Sequence, residues 1–183
     1  MTEPQGKTIV IFGSGDSKPG SVGYQQAYDL GKMLAMEGYS IANGGYGGTM
    51  AAAARGASEN RSCRDACEII GVTCDAFGRS GPNSWIDKEI RTDNLNQRVD
   101  TLVKLAEAYI VLPGGTGTLL EIALVWELIN KHFLPLRPII FLSEYWKPVI
   151  DTVLGTGAAE VKCLVFVDTL DQVRQVLNDY FRG

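Results

Sequence analysis

YIVLPGGTGTLLE, residues 109–121, passes from a β-rich apolar run through glycines and threonines into a second apolar segment of helical length. Branched and aromatic residues closed by Pro-Gly-Gly read as a buried strand, and the segment beyond carries no breaker until about His132, so it reads as a helix. The unit is strand, glycine loop, helix, and it recurs on both sides. KTIVIFG (7–13) reads as a strand and GYQQAYDLGKMLAMEG (23–38) as an amphipathic helix closed by glycine. YSIANGG (39–45) is a second strand. GTMAAAARGASE (48–59) is a helix whose alanines would let it lie close against a sheet, and CEIIGVTC (67–74) is a third strand. TDNLNQRVDTLVKLAEA (92–108) reads as a helix with Thr92 or Asp93 as candidate caps. Beyond the opening stretch come the strand RPIIFL (137–142), the helix YWKPVIDTVL (145–154), the strand CLVFVD (163–168) and a last helix from about Leu170 to Phe181.

Apolar strands alternating with helices predict a parallel sheet covered on both faces and joined by right-handed crossovers. The expected fold is a Rossmann-like, doubly wound α/β domain. A chain of 183 residues holds one well-cored domain and is short for two, so residues 1–183 are read as a single unit. The polar stretch DAFGRSGPNSWIDKEIRT (75–92) is long for a connection in such a domain and is a candidate lid or subunit contact.

Composition narrows the function classes. Hydrophobic residues at 45% and charged residues at 21% are those of a globular protein rather than a disordered or membrane one. A formal charge of −4 gives no basic footprint for a nucleic acid polymer. The start MTEPQGK has no signal-peptide pattern, and no apolar run approaches the roughly 18 residues of a membrane span, so a cytoplasmic protein without membrane contact is expected. Cys63, Cys67, Cys74 and Cys163 form no CxxC pair; Cys63 and Cys67 on a helix would merely share a face, and no metal site is expected.

In open α/β sheets ligands bind outside the carboxyl ends of the strands. Three of the loops there are glycine-rich: GSGDSKPGS after the first strand, NGGYGGTM after the second, and PGGTGT in the opening stretch. Their convergence points to a shared site for a small anion, with Ser14, Gly44 and Gly45 as candidates for additional substrate contacts. The first loop is not a dinucleotide fingerprint. GxGxxG started at Gly13 is met at Gly15 but finds Lys18 in the third place, and the second strand ends in Asn43 rather than a ribose-binding acid. No GxxxxGK[ST] occurs, which excludes a P-loop. A pyridoxal-phosphate decarboxylase would need a Schiff-base lysine, for which only Lys18 has a glycine-loop context. No cofactor is expected.

In PGGTGT, Gly114 and Gly115 let the backbone approach a ligand, while Gly117 and Thr118 begin a helix whose free amides and dipole favour an anion. Glu121 lies three residues past Thr118 and shares its face, so an acid would stand a few ångströms from a bound phosphate, as suits a ribose 5-phosphate. A carboxylate near the start of so apolar a helix is an outlier; its other reading is a helix-dipole contact. Arg98 falls near the border of the apolar stripe of its helix, formed by Leu95, Val99, Leu102, Val103 and Leu105. Alone it reads as a surface ion pair.

The combination NGGYGGTM, then LNQRVD, then LPGGTGTLLE resembles the LOG (LONELY GUY) family, whose members are often mislabelled lysine decarboxylases. Residues 113–121 match the family signature PGGxGTxxE at every fixed position, and the resemblance spans nearly the whole chain. It implies a phosphoribohydrolase, an N-glycosidase that releases free base and ribose 5-phosphate from a nucleoside 5′-monophosphate of the AMP or cytokinin riboside type. It implies Arg98 and Glu121 as catalytic pair, Gly114, Gly115, Thr116, Gly117 and Thr118 as phosphate holders, and a homodimer or larger homo-oligomer with the site near the subunit interface. Two departures bear on base preference: Arg98-Val99 stands where the family commonly has Arg-Lys, and NGGYGGTMA where it has GGGxxGLMG. Molybdenum-cofactor carriers share the fold and a similar loop, so a non-catalytic carrier or sensor of a phosphorylated ligand is the rival expectation.

Overall fold

The structure, a computed structural model, describes residues 6–62, 67–78, 80–155, 157 and 161–182. Its strands are β1 (Thr8–Phe12), β2 (Ser40–Asn43), β3 (Ile69–Cys74), β4 (Lys88–Thr92), β5 (Ala108–Val111), β6 (Ile139–Leu142) and β7 (Leu164–Val167). They form one sheet in the order β4-β3-β2-β1-β5-β6-β7, parallel throughout. The helices are α1 (Val22–Met36), α2 (Thr49–Asn60), α3 (Leu95–Leu105), α4 (Thr116–Asn130), α5 (Lys147–Leu154) and α6 (Leu170–Arg182).

Side chains alternate between the two faces of each strand, and the core divides accordingly. Ile9, Ile11, Ile41, Ile69 and Ile110 pack under α1, α2 and α6. Val10, Phe12, Val72, Tyr109 and Val111 pack under α3, α4 and α5. The chain leaves β1 for one face and β5 for the other. These two strands are neighbours, so a crevice opens between their carboxyl ends.

β4 is absent from the sequence reading, which left it inside the polar stretch 75–92. Its sequence KEIRT is mostly exposed, with only Thr92 buried, because it is the sheet's edge and meets solvent on several sides. Charges on such a strand discourage pairing with another chain. The cap of α3 also differs. Asn94 is the N-cap, its side chain accepting from the Gln97 N–H at 3.0 Å. Thr92 instead ends β4, its hydroxyl donating to the Thr73 carbonyl at 2.6 Å.

Cys67, Cys74 and Cys163 are buried, and burial pushes the Cys67 thiol up to about 11, so it is an unreactive packing group. Cys63 lies outside the described residues. Among those residues no helix is long and apolar enough to cross a membrane.

The alanines of α2 face α1 as well as the sheet. At Gly31 of α1 a Cβ would overlap the Ala53 carbonyl, and at Gly56 of α2 it would overlap the Tyr28 carbonyl. Backbone thus meets backbone on both sides of the contact, with no flexible side chain to yield. Gly31→Ala is expected to destabilise the protein by about 1–3 kcal/mol through overpacking, read as a melting temperature lower by several degrees. An unchanged melting temperature would mean that the helices do not approach this closely.

Candidate functional site

The three glycine loops meet at the carboxyl edge of the sheet. Thr49, at the start of α2, donates its N–H and its hydroxyl to the Ser14 carbonyl at 2.9 and 3.0 Å. Gly48 has a positive φ of 63°, and a Cβ there would overlap that same carbonyl. A Cβ on Gly13 would stand 2.6 Å from Thr49 Oγ1 and 3.1 Å from Leu112 Cβ, so Gly13 is wedged between the second loop and the loop after β5. At Gly114 a Cβ would overlap Thr118 Oγ1 and lie 3.3 Å from the Gly13 carbonyl carbon. The Ser14 hydroxyl accepts from the Asp16 N–H at 3.1 Å, which shapes the first loop locally.

The anion cradle is the start of α4. Gly115 is its N-cap in extended conformation and makes no side-chain cap, and Gly115, Thr116 and Gly117 are exposed. Nothing stands within 4 Å of where a Cβ would be on Gly115 or Gly117. These exposed residues begin a fifteen-residue helix with no side-chain cap, and the first amides of a helix have no intrahelical acceptor, the arrangement that binds phosphate or carboxylate. A segment after β6 holds the loop from behind. Trp146 Nε1 donates to the Leu112 carbonyl at 3.0 Å, and the Tyr145 hydroxyl donates to the Gly114 carbonyl at 3.1 Å. Ser143, at the entry to this segment, has φ 118°, a strained value for a non-glycine residue. Sequence reasoning missed this brace. Its signal is the aromatic pair in SEYW at the carboxyl end of an apolar strand.

Arg98 and Glu121 face each other above the sheet. α3 and α4 cover the same face, and both run back from its carboxyl edge, which brings their first turns together. Arg98 Nη1 lies 3.9 Å from Glu121 Oε1, too far for a hydrogen bond and close enough for strong attraction. Read alone in the sequence, Arg98 was a surface ion pair; it is in fact only 7% exposed, because the N-terminal end of α3 lies over β3. There its Nε donates to the Val72 carbonyl at 2.8 Å. The guanidinium rests against Gly44, where a Cβ would overlap Nη2, and sits 5.7 Å from the Tyr46 ring centre and 5.6 Å from that of Phe77. Gly44 thus seats the arginine. Asn43 shapes the same loop, accepting from the Gly45 N–H at 2.8 Å and donating to the Met50 carbonyl at 3.2 Å.

Glu121 is 8% exposed and accepts no hydrogen bond among the described residues. Burial pushes its carboxyl up to about 7, and the charge of Arg98 pulls it only partly back. At neutral pH it exists as a mixture of acid and carboxylate, one turn below the open end of α4.

The stretch 75–92 lies beside this pair. It starts with a single 3-10 turn, Asp75–Phe77, and Gly78 follows with φ 62°. Asn83 then stitches it to the second glycine loop: its N–H donates to the Gly45 carbonyl at 2.7 Å, and its side chain donates to the Gly45 and Tyr46 carbonyls at 3.0 and 2.8 Å. The Tyr46 hydroxyl in turn accepts from the Cys74 N–H at 2.8 Å.

Comparison with known proteins agrees with this architecture. The model of the SLOG cluster4 family matches residues 6–163. An uncharacterized protein of Archaeoglobus fulgidus is 30% identical over 137 residues, which cover 74% of this chain and 83% of that one. Among solved structures, the structural-genomics protein TM1055 superposes with a TM-score of 0.75 at 22% identity, over 94% of this chain and 99% of that one. The molybdenum cofactor binding protein of the phototrophic bacterium Rippkaea orientalis superposes with a TM-score of 0.70 at 22% identity over 99% of both chains. The molybdenum cofactor carrier protein of Chlamydomonas reinhardtii gives 0.69 at 21% identity, over 97% of this chain and 99% of that one. At these identities the structural likeness is one of fold. The family match covers most of the chain, and with the three-loop edge and the seven-stranded parallel sheet it shows that this protein belongs to the SLOG cluster4 family, whose fold is related to that of LOG proteins.

Proposed function

We propose that this chain hydrolyses the N-glycosidic bond of a nucleoside 5′-monophosphate, of the AMP or cytokinin riboside type, to free base and ribose 5-phosphate. One observation carries the reading: Glu121, 8% exposed and with a carboxyl that accepts no hydrogen bond among the described residues, stands beside a buried arginine, one turn below an open helix N-terminus. The amides of residues 114–118 and the Thr116 and Thr118 hydroxyls would hold the phosphate and so fix the ribose, using binding remote from the bond to orient the reacting carbon. Ser14, Gly44 and Gly45 would supply additional substrate contacts in this reading; Gly44 also seats the arginine.

Breaking the bond between the anomeric carbon and the base leaves positive charge on the sugar. A Glu121 carboxylate stabilises that charge, and water adds its hydroxyl to the anomeric carbon while its proton leaves with the base. Arg98 at 3.9 Å favours the ionised form of Glu121 despite the nearby phosphate, so its charge positions and tunes the acid. The rival reading, a carrier of a phosphorylated ligand, draws on what the proteins from Rippkaea orientalis and Chlamydomonas reinhardtii are named for. It uses the cradle and gives Glu121 nothing to do.

A second copy would cover the outer face of α4, where Leu119 and Leu120 are exposed beside the site. Sedimentation is expected to return twice the chain mass and Leu119→Asp to return a monomer; a monomeric native chain removes the dimer from the reading.

Incubation with AMP and related monophosphates, followed by chromatography, should show free base. Glu121→Gln should lower turnover by at least about a hundredfold, the lower end of what one positioned acid or base contributes, while nucleotide binding persists. No base from any monophosphate, with the protein folded, leaves the carrier. Because the carboxyl must ionise to act, kcat/KM should rise with pH through about 7 and level off above it. A profile that falls above 7 would instead assign Glu121 as proton donor to the base.

A further inference from the structure

Phe77 is a large apolar side chain left 42% exposed, on the turn that directly follows β3. One side of it is occupied: its ring centre lies 5.6 Å from the Arg98 guanidinium carbon and 6.0 Å from the Tyr46 ring. Tyr46 is itself 5.7 Å from Arg98, so the two aromatics and the cation form one group whose outermost ring is Phe77. The segment carrying it is tied down through Asn83 rather than free.

The order of chemistry along the sheet edge is informative. The phosphate cradle follows β5, Glu121 and Arg98 come next, and Phe77 follows β3. In the sheet β3 and β5 are separated by β2 and β1, three strand spacings or about 14 Å. Anion site, acid, cation and aromatic plane thus succeed one another over roughly the length of an extended nucleotide, in its own order of phosphate, sugar and base. We propose that Phe77 is the face on which the flat base of the bound nucleotide stacks, across Arg98 from the phosphate loop. This rests on the nucleotide reading above and deepens it. The ligand must carry a planar aromatic group, and Phe77 contributes to choosing it.

Stacking of a base on an aromatic side chain is worth about 1–3 kcal/mol, or roughly five- to 150-fold in affinity. The experiment titrates AMP and ribose 5-phosphate into Glu121→Gln protein, where AMP stays intact, with Phe77 as Phe, Leu or Trp. Leu keeps the apolar cover over Arg98 and removes the flat ring, so it separates stacking from packing. The expected result is about tenfold weaker AMP binding for Phe77→Leu, near-native binding for Phe77→Trp, and unchanged ribose 5-phosphate binding throughout. Equal losses for both ligands, or no loss for AMP, overturn the subsite. Ribose 5-phosphate binding as tightly as AMP to the parent protein also overturns it while leaving the phosphate and acid roles standing. Base-dependent AMP binding that needs Phe77, in a native protein without turnover, removes the hydrolase and keeps the subsite; binding of neither ligand removes both.

Discussion

The Glu121 carboxyl has lost most of its water and gained one cation that stands slightly too far away to bond it. Removing a carboxylate from water costs several kcal/mol, repaid only by close pairing and further hydrogen bonds. Here the nearest cation is 3.9 Å off, and the acid rests near neutrality instead of fully charged. Much of the surrounding structure serves to keep this geometry. Val72 anchors the arginine by its backbone, Gly44 leaves room for the guanidinium, and Tyr46 and Phe77 flank it. α3 and α4 cover one face, so their first turns cannot avoid each other.

The parallel sheet supplies the rest. With every strand pointing the same way, all the loops that follow strands gather on one edge, and β1 and β5 part their helices to opposite faces there. The loops pack closely against one another there. Gly13 and Gly48 stand where a single methyl would collide with a neighbouring segment, and Gly114 where it would collide with Thr118 at the start of its own helix. Gly115 and Gly117 differ, for nothing opposes them. The first set closes the loops on one another, and the second leaves the helix amides open to an anion. One composition of glycines thus performs two tasks that only the fold separates.

The legible parts of the sequence were those whose signal is local. Apolar runs such as TIVIF and AYIV, each followed by a glycine loop and a helix, carry the parallel sheet in their periodicity. KEIRT does not, since an edge strand with one buried residue has no apolar run to read, and Asn94 lost to its neighbours because three consecutive residues all have capping side chains. The candidate site was legible as two fragments. PGGTGT and Glu121 are joined by helical spacing. Arg98 is twenty-three positions upstream, and its burial depends on where α3 crosses β3, a tertiary fact with no local trace. Tyr145, Trp146 and Phe77 were invisible for a similar reason. An aromatic after a strand is common, and only the loop or cation that it touches gives it a role.

A protein that merely carried a phosphorylated ligand would be better built without Glu121. The cradle binds an anion through backbone amides and helix dipole, and a carboxylate a few ångströms below it opposes that anion whenever it ionises. It also costs stability, because a buried acid whose pKa is raised favours the unfolded chain as pH climbs from about 4.5 through about 7. A group that weakens both the fold and the binding step persists where a later step uses it. In the proposed hydrolysis, positive charge developing on a sugar held by its phosphate is such a step. That charge would appear only in the transition state, between the cradle and the arginine, where a carboxylate would attract it. The 3.9 Å separation of the arginine accords with that proposal. A closer ion pair would commit the carboxylate to Arg98 in the resting protein and leave less of its charge for the sugar.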